Sequence, residues 1–367
     1  MKKLNGLEAT KKFEFNNKTN KTEILTIKNN RKEREKKVEV ELRKGKVGTT
    51  EEYKYLGDYY DRSGKNEVKI RKRMEKAKYM AHEIKRKGSH ATVGKAAISV
   101  RMLLLEMTAK PSLLANIETW CNITNAEEKM LTKNHHKILC ILFDQKRSTP
   151  YYGIIGETGI WPYKHVVTYK KLMFLHHLVH SEEKRMARKI IYIQQQQPEN
   201  TTNWYNELKE KSKEMEVDIN LKQIEKISKS NWKKIIKKQI ETKIQRELNQ
   251  QTEINTKLRF LKGKKFEKEK YINETDEKTC QVIMSIRLNM INVKKNYKNQ
   301  YTDAICVGCF EEDETTEHLF ECKKYQELTG QKLENMDEKS IQWLIKAAKY
   351  FEIVKEIREM RLKIQEI

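Results

Sequence analysis

Asn66-Glu67-Val68-Lys69-Ile70-Arg71-Lys72-Arg73-Met74-Glu75-Lys76-Ala77-Lys78-Tyr79-Met80-Ala81-His82-Glu83-Ile84-Lys85-Arg86-Lys87 is the stretch where the chain changes period. Ile70, Met74, Ala77, Ala81 and Ile84 step by four and three residues, which puts them on one face of a helix. Arg71, Arg73, Lys76, Lys78, Lys85 and Lys87 lie largely away from that face. Upstream the period is two. Val38, Val40 and Leu42 alternate with polar neighbours, as do Phe13 and Phe15, which predicts half-buried strands. Lys44-Gly45-Lys46 gives a turn, and Tyr53-Lys54-Tyr55-Leu56-Gly57 begins a further short strand.

Downstream the helical period persists. Residues 91–109 are dense in apolar groups and predict a buried helix, and 113–121 and 126–143 continue the pattern. Thr149 to Pro162 breaks it with three glycines and a closing proline, which reads as an ordered loop. Helices resume at Tyr163 and run to Ile193. Gln194 to Asn203 is polar and predicts a linker between domains. In 204–262, Trp232, Ile235, Ile236, Ile240 and Ile244 mark an apolar face. Lys233, Lys234, Lys237, Lys238 and Lys243 cover most of the rest. Residues 277–293 predict another helix, and Asp337 is a candidate N-cap for a last one. With only four prolines and 13 glycines in 367 residues, the expected fold class is mainly α.

The formal charge is +24, which attracts a polyanion: nucleic acid or an acidic membrane surface. An AT-rich gene also enriches Lys, Asn and Ile, but codon bias does not space charges along helix faces. No apolar run reaches the roughly 18 residues that span a bilayer, and Met1-Lys2-Lys3-Leu4-Asn5 lacks the apolar segment of a secretory signal. The expected location is intracellular. The six cysteines show no disulfide framework.

Three of those cysteines fall in Cys306-x2-Cys309-x8-His318-x3-Cys322. Zn²⁺ prefers tetrahedral thiolate and imidazole ligands. A Cys-x2-Cys turn aims two sulfurs at one ion, and His and Cys four apart share one face of a helical turn. Four protein ligands leave no open position, so the expected role is structural, supplying folding energy to a segment too small for a core. Cys121, Cys140 and Cys280 lie on apolar faces and are expected in the core. The pairs His135–His136 and His176–His177 point in diverging directions along a helix and are poor metal sites.

Several segments, in order, resemble the reverse transcriptase polyprotein of non-LTR (LINE-type) retrotransposons. Phe15-Asn16-Asn17 with Lys21-Thr22-Glu23 is similar to a late palm segment. Tyr53-Lys54-Tyr55-Leu56-Gly57 is similar to the primer-gripping hairpin. Gly156-Glu157-Thr158-Gly159-Ile160-Trp161-Pro162 is similar to a segment beyond the thumb, and Thr315-Thr316-Glu317-His318 with Cys322 to the C-terminal Cys-Cys-His-Cys motif. The resemblance covers most of residues 10–325. It implies a palm remnant and hairpin at 1–63, a thumb-like helical bundle at 64–193 and a polar linker at 194–203. A basic helical region at 204–300, a small zinc knuckle at 301–326 and a C-terminal helix at 327–367 complete the expected domains.

The family's Tyr-x-Asp-Asp turn, whose carboxylates hold Mg²⁺ in the complete parent polymerase, has no counterpart, because the sequence contains no Asp-Asp pair. Asp58 and Asp61 read as loop residues. The resemblance therefore implies a C-terminal fragment that binds RNA or an RNA–DNA duplex, and target DNA in addition, without catalysing alone. Such a ribonucleoprotein would reside in the nucleus or cytoplasm. The expected phosphate contacts are Lys54, Lys69, Arg71, Arg73, Lys76, Lys78 and Lys85, with Lys233, Lys234, Lys237 and Lys238. Trp232 and Trp204 are either base-stacking or core residues, with core favoured at helical spacing among Ile neighbours. An alternative function class is an α-helical zinc scaffold for a protein partner, which the acidic run Glu311-Glu312-Asp313-Glu314 favours.

Overall fold

The computed structural model describes residues 23–27, 40–42, 45–55, 57–91, 97–297, 300–333 and 340–365. Phe13, Phe15, Val38, Asp337 and the Phe15 to Thr22 segment lie outside the described residues. The fold is mainly helical. Strands β1 (Glu23–Ile24), β2 (Val40–Leu42) and β3 (Gly45–Thr49) form a sheet in the order β1-β3-β2, with β1 and β3 parallel. Strands β4 (Glu52–Tyr55) and β5 (Asp58–Asp61) form a separate antiparallel hairpin with Tyr55 opposite Asp58. Gly57 occupies its turn at φ +83°, where a side chain is strained.

Helix α1 (Glu67–Ala91) buries the face that the sequence predicts: Ile70, Met74, Ala77, Ala81 and Ile84 are all in the core. Helix α2 (Ala97–Leu104) continues through one π turn at Leu105–Ala109. Helix α3 (Asn125–Phe143) starts on a capping box, with Glu127 N–H donating to Thr124 Oγ1 and Thr124 N–H to Glu127 Oε2. The other oxygen of Glu127 accepts from Asn66 N–H at 2.8 Å, which ties the start of α1 to the start of α3.

Helix α4 (Tyr151–Thr158) occupies the segment that the sequence reading takes for a loop. Its glycines serve packing rather than turning. A Cβ at Gly153 would stand 2.8 Å from Leu288 and 2.9 Å from Leu258, and one at Gly156 3.1 Å from Leu248. Bare backbone lets this short helix sink to the centre of the molecule, where the leucines replace the contacts glycine cannot make. Only Gly159, at φ +65°, ends the helix as a turn residue.

Helices α5 (Tyr163–Val179), α6 (Met186–Gln196) and α7 (Trp204–Lys213) follow, then the long α8 (Lys229–Ile254). No domain gap opens at the polar segment. Asn203 caps α7 by accepting from Asn206 N–H, and donates to Gln197 Oε1 at 2.9 Å. One apolar cluster contains Ile70 of α1, Leu172 of α5, Leu208 of α7 and Ile240 of α8. Residues 64–193 and 204–300 thus share a core. Trp204 and Trp232 are buried in it, donating to the carbonyls of Glu118 and Leu172. Ile235, expected inward, is 43% exposed, because it falls off the stripe set by Trp232, Ile236 and Ile240.

Helix α9 (Glu277–Arg287) leads to the cysteine segment, which carries α10 (Thr316–Glu321) and α11 (Lys323–Thr329). The last helix, α12 (Ile341–Gln365), packs on α9, α10 and α11. A second apolar cluster joins Ile286, Val293, Cys306, Phe320 and Tyr325 to Tyr350 and Val354 of α12. The cysteine segment therefore has a core after all, borrowed from α12, and the described residues of 301–326 and 327–367 pack as one unit. Among the described residues no helix is long and apolar enough to cross a membrane.

Candidate metal centre and cationic faces

Cys306, Cys309, His318 and Cys322 bring their ligand atoms within 4.8 Å of one another. Cys306 N–H donates to Glu312 O and Phe310 N–H to Cys306 O, folding the Cys-x2-Cys stretch into a tight turn. Gly308 sits where a Cβ would meet the Tyr325 ring at 2.8 Å, so the turn lies flat on α11. On the other side Thr315 caps α10, placing His318 and Cys322 one turn apart. Cys306 Sγ stands 4.0 Å from Cys322 Sγ, and Cys309 Sγ 3.3 Å from His318 Nε2. A tetrahedral ion with thiolate bonds of about 2.3 Å separates its ligands by about 3.7 Å. The group could hold a metal ion with little movement.

His318 offers Nε2 to the cluster because Nδ1 faces Glu312 Oε2 at 3.1 Å. A carboxylate there fixes the tautomer that leaves Nε2 free to ligate. Burial pushes the Cys306 thiol up to about 12. Burial also raises Cys309, but amide donors at Glu311 and Glu312 and the His318 contact outweigh it and hold that thiol at about 7. Cys309 is also the most open of the three thiols.

Three residues of the acidic run beside the cysteines have partners within the fold, while Glu311 is exposed. Glu312 serves His318, and Asp313 pairs with Lys295. Glu314 is fully buried, accepting from Lys294 N–H at 2.9 Å and pairing with Arg358 at 2.7 Å. Arg361 donates to the carbonyls of Val307 and Gly308 at 3.0 and 2.7 Å. The last helix thus grips the cysteine turn directly. Sequence reasoning missed Glu312, Arg358 and Arg361. A carboxylate six residues before a ligating histidine is a usable signal for the first, whereas the two arginines carry none.

The cationic candidates divide. Lys233, Lys234, Lys237 and Lys238 are all exposed on α8, Lys237 lying 3.8 Å from Glu241. Lys54, Arg71 and Lys76 are exposed, Lys54 over the Tyr59 ring and Arg71 3.8 Å from Glu52, while Lys78 and Lys85 are half-buried. Lys69 and Arg73 are not available to a phosphate, because both are buried against Asp58. Arg73 pairs with Asp58 Oδ1 at 3.1 Å and also donates to the Ala115 carbonyl. Lys69 lies 4.0 Å from Asp58 Oδ2, and Trp120 Nε1 donates to that oxygen at 3.2 Å. Asp58, read from sequence as a loop residue, is instead a buried strand residue that anchors the hairpin to α1.

Of the remaining histidines and cysteines, His135, His176, Cys140 and Cys280 are packed in the interior. His135 stacks on Tyr163 at 3.5 Å and meets the Tyr151 hydroxyl at 2.8 Å, and Tyr152 donates to Glu247. Burial holds the His135 ring well below its ordinary range, so it stays neutral. His176 and His180 stack at 4.0 Å while His177 is exposed. Cys140 and Cys280 are buried as expected, but Cys121 is exposed, because it follows the 3-10 turn at Ile117–Thr119 rather than lying on a helix. Glu157 is a further buried centre, held by Arg287 at 2.9 and 3.0 Å and by the Tyr271 hydroxyl at 2.6 Å. It locks α4 to α9. Among the described residues, the three cysteines and His318 are the one group arranged as metal ligands. No family model, curated protein or solved structure matches this chain.

Proposed function

We propose that this chain binds nucleic acid through its exposed lysine faces and is the C-terminal portion of a non-LTR retrotransposon reverse transcriptase, without the polymerase's catalytic carboxylates. The observation that carries the reading is α8. Trp232, Ile236, Ile240 and Ile244 are buried, and Lys233, Lys234, Lys237 and Lys238 all face solvent. A rigid 26-residue helix presenting lysines in adjacent pairs one turn apart suits the spaced phosphates of a backbone, without reading sequence. The net charge of +24 supports it. RNA or an RNA–DNA duplex is the proposed partner, with target DNA as a further one, in a nuclear or cytoplasmic ribonucleoprotein.

The ion proposed for the Cys-Cys-His-Cys group is Zn²⁺, in a structural role, since four protein ligands fill its tetrahedron. Its place is to fasten the cysteine turn to α10, against which α12 packs, rather than to touch phosphate. Mg²⁺ belongs only to the complete parent polymerase.

Filter binding of an RNA–DNA duplex across a salt series tests the reading. Tight binding with a steep slope of log affinity against log salt, and no primer extension with Mg²⁺, is the expected result. A second reading, an α-helical zinc scaffold for a protein partner, is favoured by one feature. Met186, Ile190 and Ile193 form an exposed apolar stripe on α6, at 69%, 45% and 57% exposure. A flat slope in the same series selects the scaffold, and robust extension overturns the inactivity.

A further inference from the structure

The cleft between α1 and α3 gathers more positive charge than its neighbours neutralise. Lys78, His82 and Lys85 come from α1, Lys137 from α3 and Arg147 from the turn that follows. Together with Asp144 they line a cavity of about 330 Å³. Asp144, which ends α3 in the left-handed conformation, is the single carboxylate of the lining and holds Lys85 at 2.6 Å. Four fixed cations thus face one acid. Among the described residues, Lys78, Lys137 and Arg147 have no ion-pair partner. Lys78 acts across the cleft on the Lys137 amine and holds it below its ordinary range, with burial, Lys133 and Arg147 adding to the effect.

The packing of α1 on α3 is fixed by apolar side chains beneath the cleft. Ile84 of α1 and Ile138 of α3 are buried in the shared core. The helices that carry Lys78, Lys85 and Lys137 are therefore held side by side, which keeps these like charges near one another. An anion removes that repulsion and gains charge-assisted hydrogen bonds, and the Arg147 fork matches two oxygens of one phosphorus. The surface of α8 differs: its lysines point outward and do not line this cavity.

We propose that the α1–α3 cleft is a phosphate-binding site that takes one phosphate group of a polynucleotide backbone. The source of that phosphate rests on the nucleic-acid reading above; the affinity of the cleft for phosphate does not. Two titrations separate them, inorganic pyrophosphate by calorimetry and an RNA–DNA duplex across a salt series. The Lys78→Gln/Lys137→Gln variant is compared with the unaltered protein and with Lys237→Gln/Lys238→Gln on α8.

The unaltered protein is expected to bind pyrophosphate, the cleft variant to bind it about ten-fold more weakly or worse, and the α8 variant to be unchanged. The cleft variant should also lower the duplex salt slope by about one. Its thermal midpoint should hold or rise, because a repulsion has been removed. No pyrophosphate binding by the unaltered protein, or equal binding by the cleft variant, overturns the site and leaves the nucleic-acid reading standing if the duplex still binds. Pyrophosphate binding that is lost in the cleft variant, with no duplex binding by any form, keeps the site and removes the nucleic-acid reading.

Discussion

Helices α1 and α8 both set lysines and arginines around one apolar stripe, yet α1 turns two of its cations inward and α8 none. The difference lies in what covers them. The β4–β5 hairpin lies over the start of α1 and delivers Asp58, so Lys69 and Arg73 are drawn under it. Over α8 the neighbouring helix is α5, which brings a lysine and a histidine instead. Lys164 and His165 meet Glu247 at 2.8 and 2.9 Å, so α8 turns an acid inward and leaves its lysines in water. A lysine-rich face in a sequence is thus not yet a binding face. The partner element decides which charges remain outside.

Both helices belong to one apolar core, and the expectation is that their charges do not depend on the cysteine segment. Cys322→Ser tests this with the largest expected effect. Loss of the proposed Zn²⁺ should remove stability on the order of several kcal/mol from the unit built on α10, α11 and α12. The zinc content should fall from one per chain to none. The near-ultraviolet signal of Trp120 and Trp232, both in the main core, should persist. Collapse of the whole fold would show that α1 and α8 cannot be compared as independent of the metal.

Asp58→Ala comes next. It leaves Lys69 and the Trp120 N–H buried without that acceptor, and Arg73 with backbone carbonyls alone and no counter-charge, which should destabilise the protein by about 3–5 kcal/mol in urea unfolding. Lys76→Ala, on the exposed face of the same helix, should stay within about 0.5 kcal/mol. Equal midpoints for the two variants would erase the distinction between inward and outward cations.

A smaller effect is expected at Gly153. Alanine favours a helix by up to about 1 kcal/mol, but its Cβ would press on Leu288 and Leu258 at 2.8 and 2.9 Å. The net expectation is a loss of about 1–2 kcal/mol. A gain would mean that α4 does not pack as closely as these distances require.

Much of the fold was legible in the sequence where pattern alone acts. The stripe from Ile70 to Ile84 and the buried Trp232, Ile236 and Ile240 follow from period, and the metal group from ligand spacing. Three features were not legible, each for a physical reason. Gly153 and Gly156 carry the same letter whether glycine serves a turn or a close contact, and only the facing leucines decide. Asp58 lies 15 residues from Arg73, so nothing local marks them as partners. The grip of Arg358 and Arg361 on the cysteine turn spans more than 40 residues and depends on where α12 docks.

The central claim is that the lysines α8 leaves outside are phosphate contacts. Its most direct test replaces Lys233, Lys234, Lys237 and Lys238 together by Gln and compares duplex binding with the unaltered protein across one salt series. Stability should change by less than about 0.5 kcal/mol per site, while the salt slope falls by about 0.7–0.9 for each phosphate contact removed. A variant that binds with the same affinity and the same slope would contradict the account.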